Sequence, residues 1–365
     1  MKFNKTLLLT LLALPITACA TNDGLLSNYG SNRPAWLNKL QQLNHTSDGK
    51  FRIIQVGDSH TAGDYFTDRL RRRLQQQWGN GGIGWVKGQR MATVRYSGSG
   101  WNTISSRKSH SDFSFGGIEA RADGGSVTLS AADGSMDMQQ ISIFGKPVWS
   151  EQTLTVNGRE IPATQNGWQL VRTNASLPMT LSSSMPWQIG FINIERPGRG
   201  VTVSAMGING AQLSQWSKWR PGMWEDLAQT KADLIILAYG TNEAFSGNLD
   251  ISSTERTWRN YIRQIKNTLP NAGILILGAP ESLKTAYGSC GNRPVLLSEV
   301  QQMQQRVARD EKIMFWSWQD AMGGACSMKN WMAQGLAAKD GVHFSAQGYE
   351  TAADKLADSL IRFAQ

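Results

Sequence analysis

The sequence predicts an α/β protein, a parallel β-sheet covered on both faces by helices and interrupted by an all-β insertion. Three observations carry that reading. Short apolar runs alternate with helically periodic stretches over residues 51–78 and again from 201 to 364, as strand–helix–strand units require. Between them, from about 91 to 199, helical periodicity disappears and short alternating segments separated by turn residues take its place. Asn157-Gly158 stands between two such segments and is a strong hairpin signal.

In chain order, residues 20–50 are polar and broken by Gly, Asn and Pro34; they read as a tether with one short helix around 36–43. The α/β part spans 51–90 and 201–365. It opens with a β-branched run, Ile53, Ile54 and Val56, that leads straight into Gly57-Asp58-Ser59-His60. Tyr65, Phe66, Leu70, Leu74 and Trp78 follow at helical spacing, with Gly79 placed as a stop. The insertion, 91–200, is expected to hold strands at 126–131, 140–144, 152–156, 169–172 and 187–194, a number and spacing that suggest a small β-sandwich. Strand texture returns at 201–205 and runs into Met206 and Gly210. The continuous apolar run 234–239 is a fully buried strand ending at Gly240-Thr241-Asn242-Glu243. Trp258, Ile262, Ile265 and Leu269 mark a helix, 273–277 a strand, 294–312 a helix and 313–318 a last strand. Asp340-Gly341-Val342-His343 then precedes a final helix through Ala364.

Composition narrows the function classes. The 365 residues carry 37 Lys and Arg against 28 Asp and Glu. The cations are scattered; the nearest thing to a run, Arg69, Arg71, Arg72 and Arg73, lies on a helix with an apolar opposite face and reads as a solvated face. No nucleic-acid motif accompanies it, so no nucleic-acid partner is expected. The 14 Trp suit a protein that stacks on sugar rings, although core packing is the commoner use of tryptophan.

Residues 1–19 read as an export signal, with Lys2 and Lys5 ahead of an apolar run, 7–14, too short to anchor in a bilayer. Ile16-Thr17-Ala18-Cys19 resembles a bacterial lipobox, in which the cysteine becomes the lipidated first residue; Ala18-x-Ala20 also reads as an ordinary cleavage site. A cysteine at the end of a signal favours the lipoprotein, hence a membrane partner through a lipid on Cys19. Ala20 after Cys19 tilts the expected location to the periplasmic side of the outer membrane. Cys290 and Cys326 make an even pair in an exported, oxidising setting, so a disulfide is expected between them; their separation fits no zinc pattern.

Ser59, Gly210, Asn242 and the pair Asp340/His343 all fall just after expected strands or just before a helix, on the rim where ligands bind in such sheets. Each has a chemical use there. His343 can take the proton from Ser59 and return it to a leaving group, and Asp340 can hold the other ring nitrogen. The N–H groups of Ser59 and Gly210 and the amide of Asn242 can surround a developing oxyanion. Gly210 leaves room for a close approach by substrate.

At these residues the chain resembles the SGNH (GDSL-type) hydrolases, whose four name-giving positions are matched by Ser59 in Gly-Asp-Ser, Gly210, Asn242 in Gly-Thr-Asn-Glu, and His343 in Asp-x-x-His. The match covers 51–80 and 201–365. It implies a flavodoxin-like three-layer sheet and an ester hydrolase with the roles above. His60 stands where leucine is frequent in that group; it adjoins the nucleophile in sequence and is expected to point away from its hydroxyl. More closely, the run from Gly57 to Phe66, the β insertion ahead of Gly210 and the export signal resemble the peptidoglycan O-acetylesterases of Gram-negative bacteria, in which the insertion is similar to a carbohydrate-binding module. That resemblance implies removal of the acetyl group from the C6 hydroxyl of N-acetylmuramic acid through an acetyl-Ser59 intermediate, which frees the hydroxyl that lytic transglycosylases need. It implies O-acetylated glycan strands as partner and neither metal nor organic cofactor. Three other readings stay open at this stage. They are an esterase on another acetylated polysaccharide or small ester, an acetyltransferase on the same triad, and a non-catalytic glycan-binding envelope lipoprotein.

Overall fold

The computed structural model describes residues 24–32, 34–108, 112–149 and 152–365; the export signal, the lipidation candidate Cys19 and His110 lie outside them. The chain starts with β1 (Leu26–Asn28) and α1 (Ala35–Gln42), then β2 (Lys50–Gly57), a single turn α2 (Ser59–Ala62) and α3 (Tyr65–Trp78). The β-rich stretch follows as β3 (Gly82–Val86), β4 (Val94–Ser105), β5 (Ile118–Ala131), β6 (Met138–Pro147), β7 (Thr153–Val156), β8 (Arg159–Pro162), β9 (Gln169–Ser176), β10 (Met179–Ser182) and β11 (Trp187–Glu195). The α/β part resumes with β12 (Gly200–Gly207), α4 (Met223–Gln229), β13 (Leu234–Ala238), α5 (Thr241–Phe245), α6 (Ile251–Thr268) and β14 (Gly273–Leu277). It ends with α7 (Leu297–Asp310), β15 (Met314–Trp316), α8 (Trp318–Met322), α9 (Met328–Ala333) and α10 (Ala346–Ala364).

The first sheet has the order β1-β15-β14-β13-β2-β12, parallel except for β1, which runs antiparallel to β15. Side chains alternate between its faces, as a pleated strand dictates. Ile53, Leu234, Ile236, Leu275 and Leu277 pack with α1, α3 and α10 on one face, while Ile54, Ile235, Leu237, Ile274 and Ile276 pack with α6 and α7 on the other. This is the three-layer α/β architecture expected. The segment read as a tether does more than connect: Leu26 to Asn28 pair with Trp316 to Met314 and close the sheet edge. Three residues are too few to show a strand's alternation in sequence.

The second sheet joins nine antiparallel strands, with β5 and β11 each serving more than two partners along their length. Inward side chains from β3, β5, β6, β7, β9, β10 and β11 share one core, including Val86, Leu129, Ile143, Val156, Val171, Leu181 and Ile192. The sheet is therefore curled around that core. Asn157 and Gly158 turn the β7–β8 hairpin with φ of 48° and 79°, the left-handed pair that a two-residue hairpin turn needs. β3 pairs with β11, so this sheet begins at Gly82, upstream of the expected limit at 91. β4 escapes sequence reading because Val-Arg-Tyr-Ser-Gly-Ser-Gly-Trp carries loop-type residues; its pairing with β5 makes it a strand.

The arginine run of α3 is a solvated face only at Arg72, which is exposed. Arg71 is buried and reaches Asp64 (2.9 Å) and the Val203 carbonyl. Arg69 and Arg73 pair with Asp354, and Arg73 also with Asp358, on α10. These ion pairs join the two helices that flank the nucleophile and the base.

Candidate active site

The parallel register brings the site together. Gly57 at the end of β2 lies beside Gly207 of β12 and Ala238 of β13, so three strands finish at one level of the rim. Ser59 follows Gly57 by two residues, Gly210 follows Gly207 by three, and Asn242 follows Ala238 by four. A Cβ on Gly207 would lie 2.3 Å from the Ala62 nitrogen and 2.6 Å from the Asp58 carbonyl oxygen, so only glycine lets α2 sit against β12.

Ser59 is the first residue of α2, where a backbone N–H has no intrahelical acceptor. Asp58 caps the turn by accepting from the His60 N–H at 3.0 Å. The His343 ring arrives from the far end of the chain, just ahead of α10, whose start is capped by Ser345 accepting from Gly348. His343 Nε2 lies 2.9 Å from Ser59 Oγ, and its Nδ1 lies 2.7 Å from Asp340 Oδ2. Asp340 Oδ1 accepts in addition from the Val342 and His343 amides. Partial burial raises the Asp340 carboxyl, but the ring and those two amides outweigh it and hold the group below the usual carboxylate range. An ionised Asp340 places the ring proton on Nδ1, which leaves the Nε2 lone pair facing the serine hydroxyl.

Neither the Ser59 N–H nor the Gly210 N–H has an acceptor among the described residues. Asn242 lines the same cleft, with Nδ2 donating to the Ala211 carbonyl (3.0 Å) and the Asp58 carboxyl (3.2 Å). Asp58 is fully buried, and that burial, reinforced by the nearby Glu243 charge, pushes its carboxyl up to about 8 against the hydrogen bonds it accepts. Glu243, also buried, is raised to about 7 by the same cause while accepting from the Leu213 and Gly240 amides.

His60 points away from the Ser59 hydroxyl. Its Nδ1 meets the Tyr349 hydroxyl at 3.0 Å and its ring packs on Trp318 and Phe344. Burial, with the neighbouring His343 adding to it, lowers the ring to about 3, so His60 stays neutral and is no competitor for the base.

The cleft above Ser59 measures about 800 Å³. Its hydrolase side includes Ala62, Gly63, Tyr65, Phe245, Val342 and Tyr349; its other side is made by Gln89, Arg90 and Arg107. These last three carry no signal in the sequence, because each looks like a scattered polar residue until the β-rich region folds over the rim. Gly210 was expected to make room for substrate; the group beside it is Arg107, whose Cζ would stand 2.6 Å from a Cβ there, at a φ of +71°. Cys290 and Cys326 form the expected disulfide. It braces the site indirectly: the Cys326 N–H donates to Glu281, and the Leu283 N–H donates to the Gly341 carbonyl, next to Asp340.

A family model described as peptidoglycan O-acetylesterase, N-terminal, matches residues 81–180, and one described as the GDSL-like lipase/acylhydrolase family matches 184–351. The solved structure of a peptidoglycan O-acetylesterase is 60% identical to this chain, covers 93% of it and 99% of its own length, and superposes with a TM-score of 0.90. An acetyl xylan esterase (16% identity, 44% of this chain and 81% of its own, TM-score 0.36) and a family two carbohydrate esterase from Clostridium thermocellum (12% identity, 73% and 97%, TM-score 0.32) are too distant to bear on function. No curated protein matches the chain. Near-complete coverage at 60% identity, with both domains matched in order, settles the kinship: the chain belongs to the peptidoglycan O-acetylesterase family.

Proposed function

We propose that this chain is a serine esterase that removes acetyl groups from the C6 hydroxyl of N-acetylmuramic acid in peptidoglycan. The observation that carries the reading is the continuous contact from Ser59 through His343 to Asp340, at 2.9 and 2.7 Å, beside two backbone N–H groups without an acceptor among the described residues. In the first half-reaction Ser59 Oγ attacks the acetyl carbonyl carbon while His343 Nε2 takes the hydroxyl proton. The carbonyl oxygen, now negative, is met by the Ser59 and Gly210 N–H groups, and by the Asn242 amide once it releases one of its two bonds, to Ala211 or to Asp58. The bond to the sugar C6 oxygen breaks and His343 returns its proton to that oxygen. In the second half water attacks acetyl-Ser59, His343 takes its proton, and acetate leaves as the serine is reprotonated. Asp340 stabilises the imidazolium in both halves without itself being protonated.

The freed C6 hydroxyl is what lytic transglycosylases need to form their anhydro product, so the reaction opens the glycan to cleavage. Export by residues 1–19, a lipid on Cys19 and residence on the periplasmic side of the outer membrane complete the proposal; they rest on the sequence of the signal alone. Acetate release from O-acetylated peptidoglycan, acetylated xylan and an aryl acetate, by wild type and Ser59→Ala, tests it. Release from peptidoglycan that Ser59→Ala abolishes is the expected result; release from the aryl ester alone would leave a generic esterase.

A further inference from the structure

We propose that Arg107, assisted by Arg90, forms a carboxylate-binding subsite in the wall of the catalytic cleft, selecting acetylated glycan that carries negative charge near the ester. The proposal rests on the esterase reading above and names a feature of its substrate.

The placement of Arg107 is built into the fold. It sits on the connection after β4, between Ser106, which is fully buried, and Lys108. Ser106 is pinned on both sides: its Oγ accepts from Trp219 Nε1 at 3.1 Å, and its N–H donates to the Gly117 carbonyl at 2.9 Å. The Arg107 N–H donates to Ser105 Oγ, and the Lys108 N–H to the Ser105 carbonyl. A backbone fixed this way aims the guanidinium across the rim onto Gly210, whose missing side chain is the space it occupies.

Electrostatics supply the second argument. Arg90 lines the same cleft from the segment between β3 and β4, and none of the lining side chains among the described residues is acidic. Neither guanidinium has an ion-pair partner among the described residues, and they are the only arginines among the described residues that line the cleft. Two unpaired guanidinium groups in a concave site are placed to bind an anion, and the planar fork of arginine matches a carboxylate through two parallel hydrogen bonds. Muramic acid offers such a group, either on its own lactyl substituent or on the attached peptide; a simple aryl acetate and acetylated xylan offer none beside the ester.

The test compares KM and kcat of the full-length protein on O-acetylated muropeptides with free carboxylates and on the same muropeptides with those carboxylates converted to methylamides. A peptide-free O-acetylated disaccharide with its lactyl carboxylate intact assigns the source of the charge. Wild type should show a KM about tenfold lower for the charged substrates. Arg107→Ala should erase most of that preference, chiefly through KM, and Arg107→Lys should restore part of it. Equal KM values in wild type, or a preference that survives in both Arg107→Ala and the Arg90→Ala/Arg107→Ala double variant, would overturn the subsite while leaving the esterase intact. Absence of acetate release from every muropeptide would instead remove the esterase reading, and the subsite with it.

Discussion

The side-chain amide of Asn242 donates to the buried carboxyl of Asp58 across 3.2 Å and to the Ala211 carbonyl across 3.0 Å, so the residue before the nucleophile helps hold the amide at the rim where the proposed mechanism needs an oxyanion donor. Turning one N–H from Asp58 or Ala211 toward developing charge is the only rearrangement the proposed mechanism asks of this donor. Asn242→Ala should therefore lower kcat on the order of a hundredfold, the usual loss for one oxyanion donor, with a smaller change in KM. Steady-state kinetics on an aryl acetate check this, and an unchanged kcat would show that the two backbone N–H groups suffice.

Asp58 also makes stability depend on pH. Burial raises its folded-state value to about 8 from 3.8, so the folded protein keeps a proton that the unfolded chain has already lost. The sign follows: the contribution is complete below the unfolded value and is lost as pH rises toward 8. Asp58→Asn, which stays neutral, should flatten the fall in melting temperature between pH 5.5 and 8.5. Parallel slopes in variant and wild type would show that Glu243, raised to about 7, accounts for the trend instead.

In the proposed mechanism Asp340, 2.7 Å from His343 Nδ1, orients the imidazole, while Ser59 and His343, 2.9 Å apart, exchange the proton itself. Asp340→Asn should accordingly cost less activity than Ser59→Ala or His343→Ala, each of which should abolish turnover with the fold intact. Initial rates and circular dichroism of the three variants decide it; equal loss would show that the carboxylate is indispensable.

The Cys290–Cys326 bridge spans a separation of 36 residues. Restricting a loop of that size in the unfolded chain is worth about 4 kcal/mol in the chain-entropy account. A Cys290→Ser/Cys326→Ser variant should lose that order of stability in denaturant titration. It should also lose activity at temperatures below its melting point, because Cys326 holds Glu281, two residues from Leu283, whose N–H donates to Gly341 beside Asp340.

How much of this was legible beforehand depended on how local each signal was. β14 was placed to the residue, and α7 and α10 to within a few, because apolar period and length specify them. Ser59, Gly210, Asn242, Asp340 and His343 could be picked out since each follows a strand end, and the parallel register then carries them to one rim. β1, β3, β4, β8 and β10 were missed: they are short, or rich in Ser and Gly, and owe their conformation to partners distant in sequence. The arginines of α3 looked solvent-facing for a related reason, since Asp354 and Asp358 reach them from the other end of the chain. Arg107 was invisible on the same ground; nothing in its neighbours announces Gly210.

The turn that presents Arg107 belongs to a different fold unit from the serine, histidine and aspartate it overlooks. With the proposed subsite, reactivity and taste are written in separate stretches of the chain, so a change confined to the Arg107 side chain alters which acetylated polymer is preferred and leaves the Ser59–His343–Asp340 contacts in place.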